Sequence, residues 1–105
     1  MKRWIWIDCH GYFAGIYSSQ RRMISDYREK RETEGKSLSF EEAEIEIISS
    51  AQPDFFGKIE LSSKEISLLE RYSWKKVRMD SLIPNWRKRS LYLFESYIKS
   101  KGGVR

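Results

Sequence analysis

Two short runs near the start of the chain, Trp4–Cys9 and Tyr12–Tyr17, are rich in β-branched and aromatic residues and flank His10-Gly11. Such runs around an X-Gly pair predict a β-hairpin with a two-residue turn, because glycine accepts the positive φ that the turn requires. The pairing that follows sets Cys9 against Tyr12, Ile7 against Ala14 and Ile5 against Ile16 on one face. The other face sets Trp4 against Tyr17, Trp6 against Gly15 and Asp8 against Phe13, where an aromatic ring over a cross-strand glycine is a stabilising device. Both faces are largely apolar, so the hairpin belongs inside a layered structure. A two-stranded ribbon is marginal in water and needs a further strand.

Phe55–Leu61 supplies that strand, with Phe55, Gly57, Ile59 and Leu61 alternating against Phe56, Lys58 and Glu60. The remaining segments read as helices. Ser18–Gly35 takes its cap from Ser18 or Ser19, its apolar stripe from Met23, Ile24 and Tyr27, and its stop from Gly35. Arg28–Glu32 and Lys30–Glu34 are its expected i,i+4 pairs, and its second half, Glu29–Glu34, is expected to fray. Ser39-Phe40-Glu41-Glu42 is a capping box opening a helix from Phe40 to about Ala51, stopped by Pro53, with Phe40, Ala43, Ile47 and Ile48 turned inward. The alternation Glu44-Ile45-Glu46-Ile47 also admits a strand, but the cap and the early glutamates favour the helix. Ser62-Ser63-Lys64-Glu65 is a second capping box, opening a helix to about Met79 with Ile66, Leu69, Tyr72 or Ser73, and Val77 as its stripe. Pro84 suits the first position of a last helix running to about Lys101. Its inner face is Trp86, Leu91, Leu93, Phe94, Tyr97 and Ile98, its outer face Lys88, Tyr92, Glu95 and Lys99, with Arg87 and Arg89 flanking. The order ββααβαα defines an α+β domain: a hairpin plus a third strand in a small antiparallel sheet, packed with about four helices.

At 105 residues the chain suits one domain, spanning 1–105, and 40% hydrophobic content argues against disorder. The lone Cys9 permits no internal disulfide, and no apolar run reaches the roughly 20 residues that span a bilayer. A cytoplasmic protein with no membrane partner is the expectation. The net charge of +5 is unevenly placed: residues 1–70 hold 10 Lys/Arg against 13 Asp/Glu, residues 71–105 hold 10 against only Asp80 and Glu95. A basic region of this kind suits nucleic acid or an acidic protein surface.

Few residues suggest chemistry. In Asp8-Cys9-His10, neighbouring strand positions face opposite ways, so Cys9 and His10 are not expected to act as a thiolate pair; Cys9 reads as a small buried residue and His10 as a turn residue. Asp8, at the end of an apolar strand, sits where nucleases folded like ribonuclease H carry a metal-binding carboxylate. Asp26, Asp54 and Asp80 are the candidates to join it on Mg²⁺, but nothing in their spacing brings them together. One Cys and one His cannot furnish a zinc site, and no phosphate loop or nucleophile elbow occurs. No catalytic residue, metal, cofactor or small-molecule partner is therefore expected. Trp4, Trp6, Phe13 and Tyr17 offer a stacking platform if exposed, but helices covering that face are favoured. Trp74 and Trp86 read as core anchors.

The expected contact surface is Arg87, Lys88 and Arg89 beside Trp86, supported by Lys75, Lys76 and Arg78 and extended by Lys99. Folded as a helical hairpin, the first six charges surround one corner and attract phosphates. The leading expectation is a non-catalytic module that grips the nucleic-acid backbone. If about six phosphates are engaged, affinity falls roughly a thousandfold between 50 and 200 mM salt. The alternative is an inhibitor or adaptor, of the kind phages and mobile elements encode, that binds a host protein or nucleoprotein complex, since Trp, Tyr and Arg dominate protein hot spots.

Overall fold

The computed structural model describes residues 1–48 and 54–93, the side chains of 91–93 excepted. Strands β1 (Lys2–Ile7), β2 (Phe13–Tyr17), β3 (Phe55–Glu60) and β4 (Ser90–Leu93) form one antiparallel sheet in the order β2-β1-β3-β4. Helices α1 (Gln20–Thr33) and α2 (Phe40–Ile48) cover one face, and α3 (Ser63–Tyr72) and the single turn α4 (Met79–Leu82) cover the other. The sequence order ββααβαα holds, with a 3₁₀ turn, Trp86–Arg89, and β4 added at its end.

The two apolar faces of the hairpin each found a helical layer. Trp4, Trp6, Ala14 and Phe56 pack with Met23, Ile24, Tyr27, Ala43 and Ile47 of α1 and α2. Ile5, Ile7, Phe13 and Ile59 pack with Ile66, Leu69, Met79, Ile83 and Trp86. The register is the expected one at Trp4–Tyr17, Ile5–Ile16 and Trp6–Gly15, then slips so that Ile7 faces Phe13. That bulge sends Phe13 to the face opposite Trp4 and Trp6 and makes the connection a loop, Asp8–Tyr12, instead of a two-residue turn. The Asp8 carboxylate accepts the backbone N–H groups of His10 and Tyr12 and so shapes the loop. Cys9, lifted out of the strand, is exposed, not buried.

The first three helix starts behave as read. Ser39 and Glu42, and Ser62 and Glu65, close reciprocal capping boxes, and Ser19 accepts the Arg22 N–H. Gly35 stops α1 at a φ of 90°. The second half of α1 stays helical, because Arg31 reaches Glu46 of α2 and Glu34, and Lys36 also reaches Glu46. The expected Arg28–Glu32 and Lys30–Glu34 pairs are replaced: Arg28 donates to the Leu38 carbonyl and Lys30 pairs with Asp26. On α2, Ala43 and Ile47 are buried and Phe40 is half-buried, but Ile48 is exposed.

Two expected helices are corrected. The third stops at Tyr72 instead of Met79, and the chain from Trp74 to Arg78 runs along the outer edge of β2. Trp74 N donates to Ala14 O, Phe13 N to Val77 O and Met79 N to Gly11 O, at 2.8–2.9 Å. Unpaired strand-edge groups are costly, and this strap satisfies them where a longer helix would leave them bare. Over its described part, residues 84–93, the last expected helix does not form: a short 3₁₀ turn gives way to β4, which pairs with β3. Its Phe94, Glu95, Tyr97, Ile98 and Lys99 lie outside the described residues, as do Ala51 and Pro53. Among the described residues no helix is long and apolar enough to cross a membrane.

Candidate functional site

The described basic residues singled out from the sequence fall on two pieces, the strap and the 3₁₀ turn, which α4 joins. Asp80 on α4 ties them together. Its carboxylate accepts the Trp86 indole N–H at 2.8 Å and the Arg87 guanidinium at 3.1 Å, and lies 3.9 Å from Arg78. The Trp86 hydrogen bond, joined by Arg87 and Arg78, holds the Asp80 carboxyl below its ordinary value, so it stays charged. Arg78 of the strap and Arg87 of the 3₁₀ turn thus meet at one corner, with an acid at its centre.

The members of the corner differ in how free they are. Arg89 forms a two-pronged pair with Glu65 on α3, at 2.7 and 2.8 Å, and is the cation that anchors the 3₁₀ turn to the layer beneath. Arg87 lies over the Trp86 ring, 4.4 Å from its centroid, as well as on Asp80. Trp86 itself is buried against Phe55, as a core anchor. Arg78 donates to the His10 carbonyl and lies against Gly11, bracing the loop before β2. Lys75, Lys76 and Lys88 are exposed, and among the described residues they make no ion pair. Glu46, a possible competitor for these charges, is instead engaged by Arg31 and Lys36, which bring its carboxyl down to about 2. The freely available charge therefore sits on the strap and on Lys88, not on Arg87 and Arg89.

The strap also carries an aromatic ring that sequence reading assigned to the core. Trp74 is 46% exposed, while Trp4, Trp6 and Trp86 are each below 9%. It stands edge-on to Trp6 at 4.9 Å, with the Lys30 ammonium 4.4 Å from its ring centroid. Trp74 and Lys76 both hold positive φ, 60° and 56°, a conformation disfavoured for residues with a Cβ. The signal in the sequence was Ser73-Trp74-Lys75-Lys76, an aromatic among polar neighbours that lies off the stripe of Ile66, Leu69 and Val77. The platform of Trp4, Trp6, Phe13 and Tyr17 is not available: helices cover Trp4 and Trp6, and Phe13 faces the other way.

The carboxylates considered for metal binding are engaged separately. Asp8 shapes its loop, Asp26 takes the Tyr17 hydroxyl and Lys30, and Asp80 holds the basic corner. Asp54 accepts the Trp6 indole N–H at 2.9 Å, and burial raises its carboxyl above the ordinary value. Among the described residues no three His, Cys, Asp or Glu side chains converge as a metal site. A cleft of about 350 Å³ between Trp6, Tyr27, Lys30, Arg31, Glu34 and Asp54 is electrically balanced, its two cations already paired with acids. Compared with protein-family models, with curated proteins and with solved structures, the chain shows no match.

Proposed function

We propose that this protein is a non-catalytic nucleic-acid-binding module that grips the phosphate backbone with the strap Trp74–Arg78 and with Lys88 of the 3₁₀ turn. The observation that carries the reading is the state of Lys75 and Lys76. Both are exposed, without an ion pair among the described residues, on a segment whose backbone is pinned to β2. Cations fixed on a rigid edge meet a polyanion without losing the backbone freedom that a loose tail would lose. Arg78 and Arg87 frame the corner, and Asp80 holds them in place. The contacts are to phosphate, so they position a strand without reading its bases.

The test is to compare Lys75→Ala/Lys76→Ala/Lys88→Ala with Arg89→Ala, using labelled oligonucleotides of several sequences at low salt. The triple variant should keep its melting temperature and lose about tenfold or more in affinity, similarly for every sequence. Arg89→Ala should lose stability and retain most of the affinity. Equal binding by the triple variant and the parent protein would refute this assignment.

Ile45 and Ile48, 51% and 45% exposed on α2, favour a second reading, an adaptor or inhibitor that docks on another protein. Retention of one stoichiometric protein by the nuclease-treated chain, lost on Ile45→Glu, would support it over the first.

A further inference from the structure

We infer that the strap takes single-stranded nucleic acid, with Trp74 as the surface on which an unpaired base stacks. This rests on the phosphate-binding reading above and narrows its partner. Of the four tryptophans, three are buried; Trp74 alone leaves close to half of its surface in water, beside Lys75 and Lys76. Its position is not that of a loose side chain. The backbone N–H is bonded to Ala14, the ring rests on Trp6, and the Lys30 ammonium lies over it. Trp74, with its left-handed backbone, lies at the rim of the sheet on the strap that leads from α3 to α4, and its ring reaches round to Trp6 and Lys30 on the α1 side.

A duplex has no use for such a ring, because its bases are stacked on one another and only sugar and phosphate face outward. A single strand offers open base faces, and a half-exposed indole followed in the chain by Lys75 and Lys76 matches both of its parts: ring to base, cations to phosphates. Every base has a π-face, so the site tolerates any sequence. The faces of the sheet, which serve this purpose in other single-strand binders, are closed here by helices on both sides.

Fluorescence anisotropy with three labelled ligands of equal length tests the inference: a mixed-sequence single strand, the same strand made abasic, and a duplex. The parent protein should bind the normal strand about tenfold tighter than the abasic one, the size of one stacked base. Trp74→Leu, which keeps an apolar contact on Trp6, should abolish that preference while leaving abasic affinity in place; Trp74→Phe should keep part of it. Equal affinity of the parent protein for normal and abasic strands, or tighter binding of the duplex, would overturn the stacking site and leave the phosphate reading standing. Failure to bind any of the three would remove both.

Discussion

A Cβ at Gly15 would run into the Tyr17 ring, which lies back over the strand so that its hydroxyl donates to Asp26 on α1. The ring over this glycine is therefore Tyr17 on the same strand, not Trp6 across from it. Burial, then Asp26, pushes the Tyr17 phenol far above its ordinary value, so it remains a donor at any pH the fold survives. Gly15→Ala should cost about 1–3 kcal/mol in urea unfolding, since neither the ring nor its bond to α1 can move freely. A change below about 0.5 kcal/mol would show that the ring gives way. Glu65 does two jobs, closing the capping box of α3 and receiving Arg89. Arg89, then the Ser62 backbone, hold its carboxyl at about 2 against an ordinary 4.5. With the folded value below the unfolded one, this stabilisation is full above about pH 4.5 and is lost as pH falls toward 2. Glu65→Gln keeps an oxygen for the cap and loses the charge, so it should cost about 1–2 kcal/mol at pH 7 and flatten the acid limb of the stability curve. Glu65→Ala should cost more. Identical acid limbs for Glu65→Gln and the parent protein would contradict the assignment.

The strap is where local preference yields to tertiary demand. Ser63–Tyr72 ends as a helix although its apolar stripe continues to Val77, because β2 would otherwise present unpaired groups at Phe13 and Ala14. The bend is achieved with Trp74 and Lys76 in left-handed conformations. Lys76→Gly should therefore raise stability by up to about 1 kcal/mol in thermal melts, while weakening nucleic-acid binding by one contact. Lower stability would mean that the Lys76 side chain holds the strap down. What the sequence made legible were features with short-range causes: both capping boxes, the Gly35 stop, the first three pairs of the hairpin register and the alternation of β3. What it concealed had long-range causes. The slip between Trp6 and Ile7 depends on the Asp8 loop, the end of α3 on the edge of β2, and the strand Ser90–Leu93 on the open edge of β3. Pro84 looked like a helix start, but Trp86 bound to Asp80 and Arg89 bound to Glu65 turn the chain into the sheet instead.

Taken as a whole, the molecule is a sheet with helices on both faces and with the exposed Lys75 and Lys76 on a strap along one edge. The charge asymmetry read from the sequence pointed to the last third of the chain, and Arg78 and Arg87, one from each of its two clusters, do meet there on Asp80. The distribution within it was not legible, because Arg87, Arg89 and Lys88 look alike in a sequence; only packing reveals that Glu65 claims one and Asp80 another. Trp74 was hidden for the same reason, an aromatic being the usual core anchor until its neighbours are placed. The expected number of engaged phosphates accordingly falls from about six to about four, from Lys75, Lys76, Arg78 and Lys88. A salt titration of single-strand affinity reads that number directly. The logarithm of affinity should fall linearly with the logarithm of salt at a slope of about −3, which is roughly fiftyfold between 50 and 200 mM. The Lys75→Ala/Lys76→Ala/Lys88→Ala variant should show a slope near −1. A slope near zero in the parent protein, or one unchanged by the three substitutions, would contradict a phosphate-gripping strap.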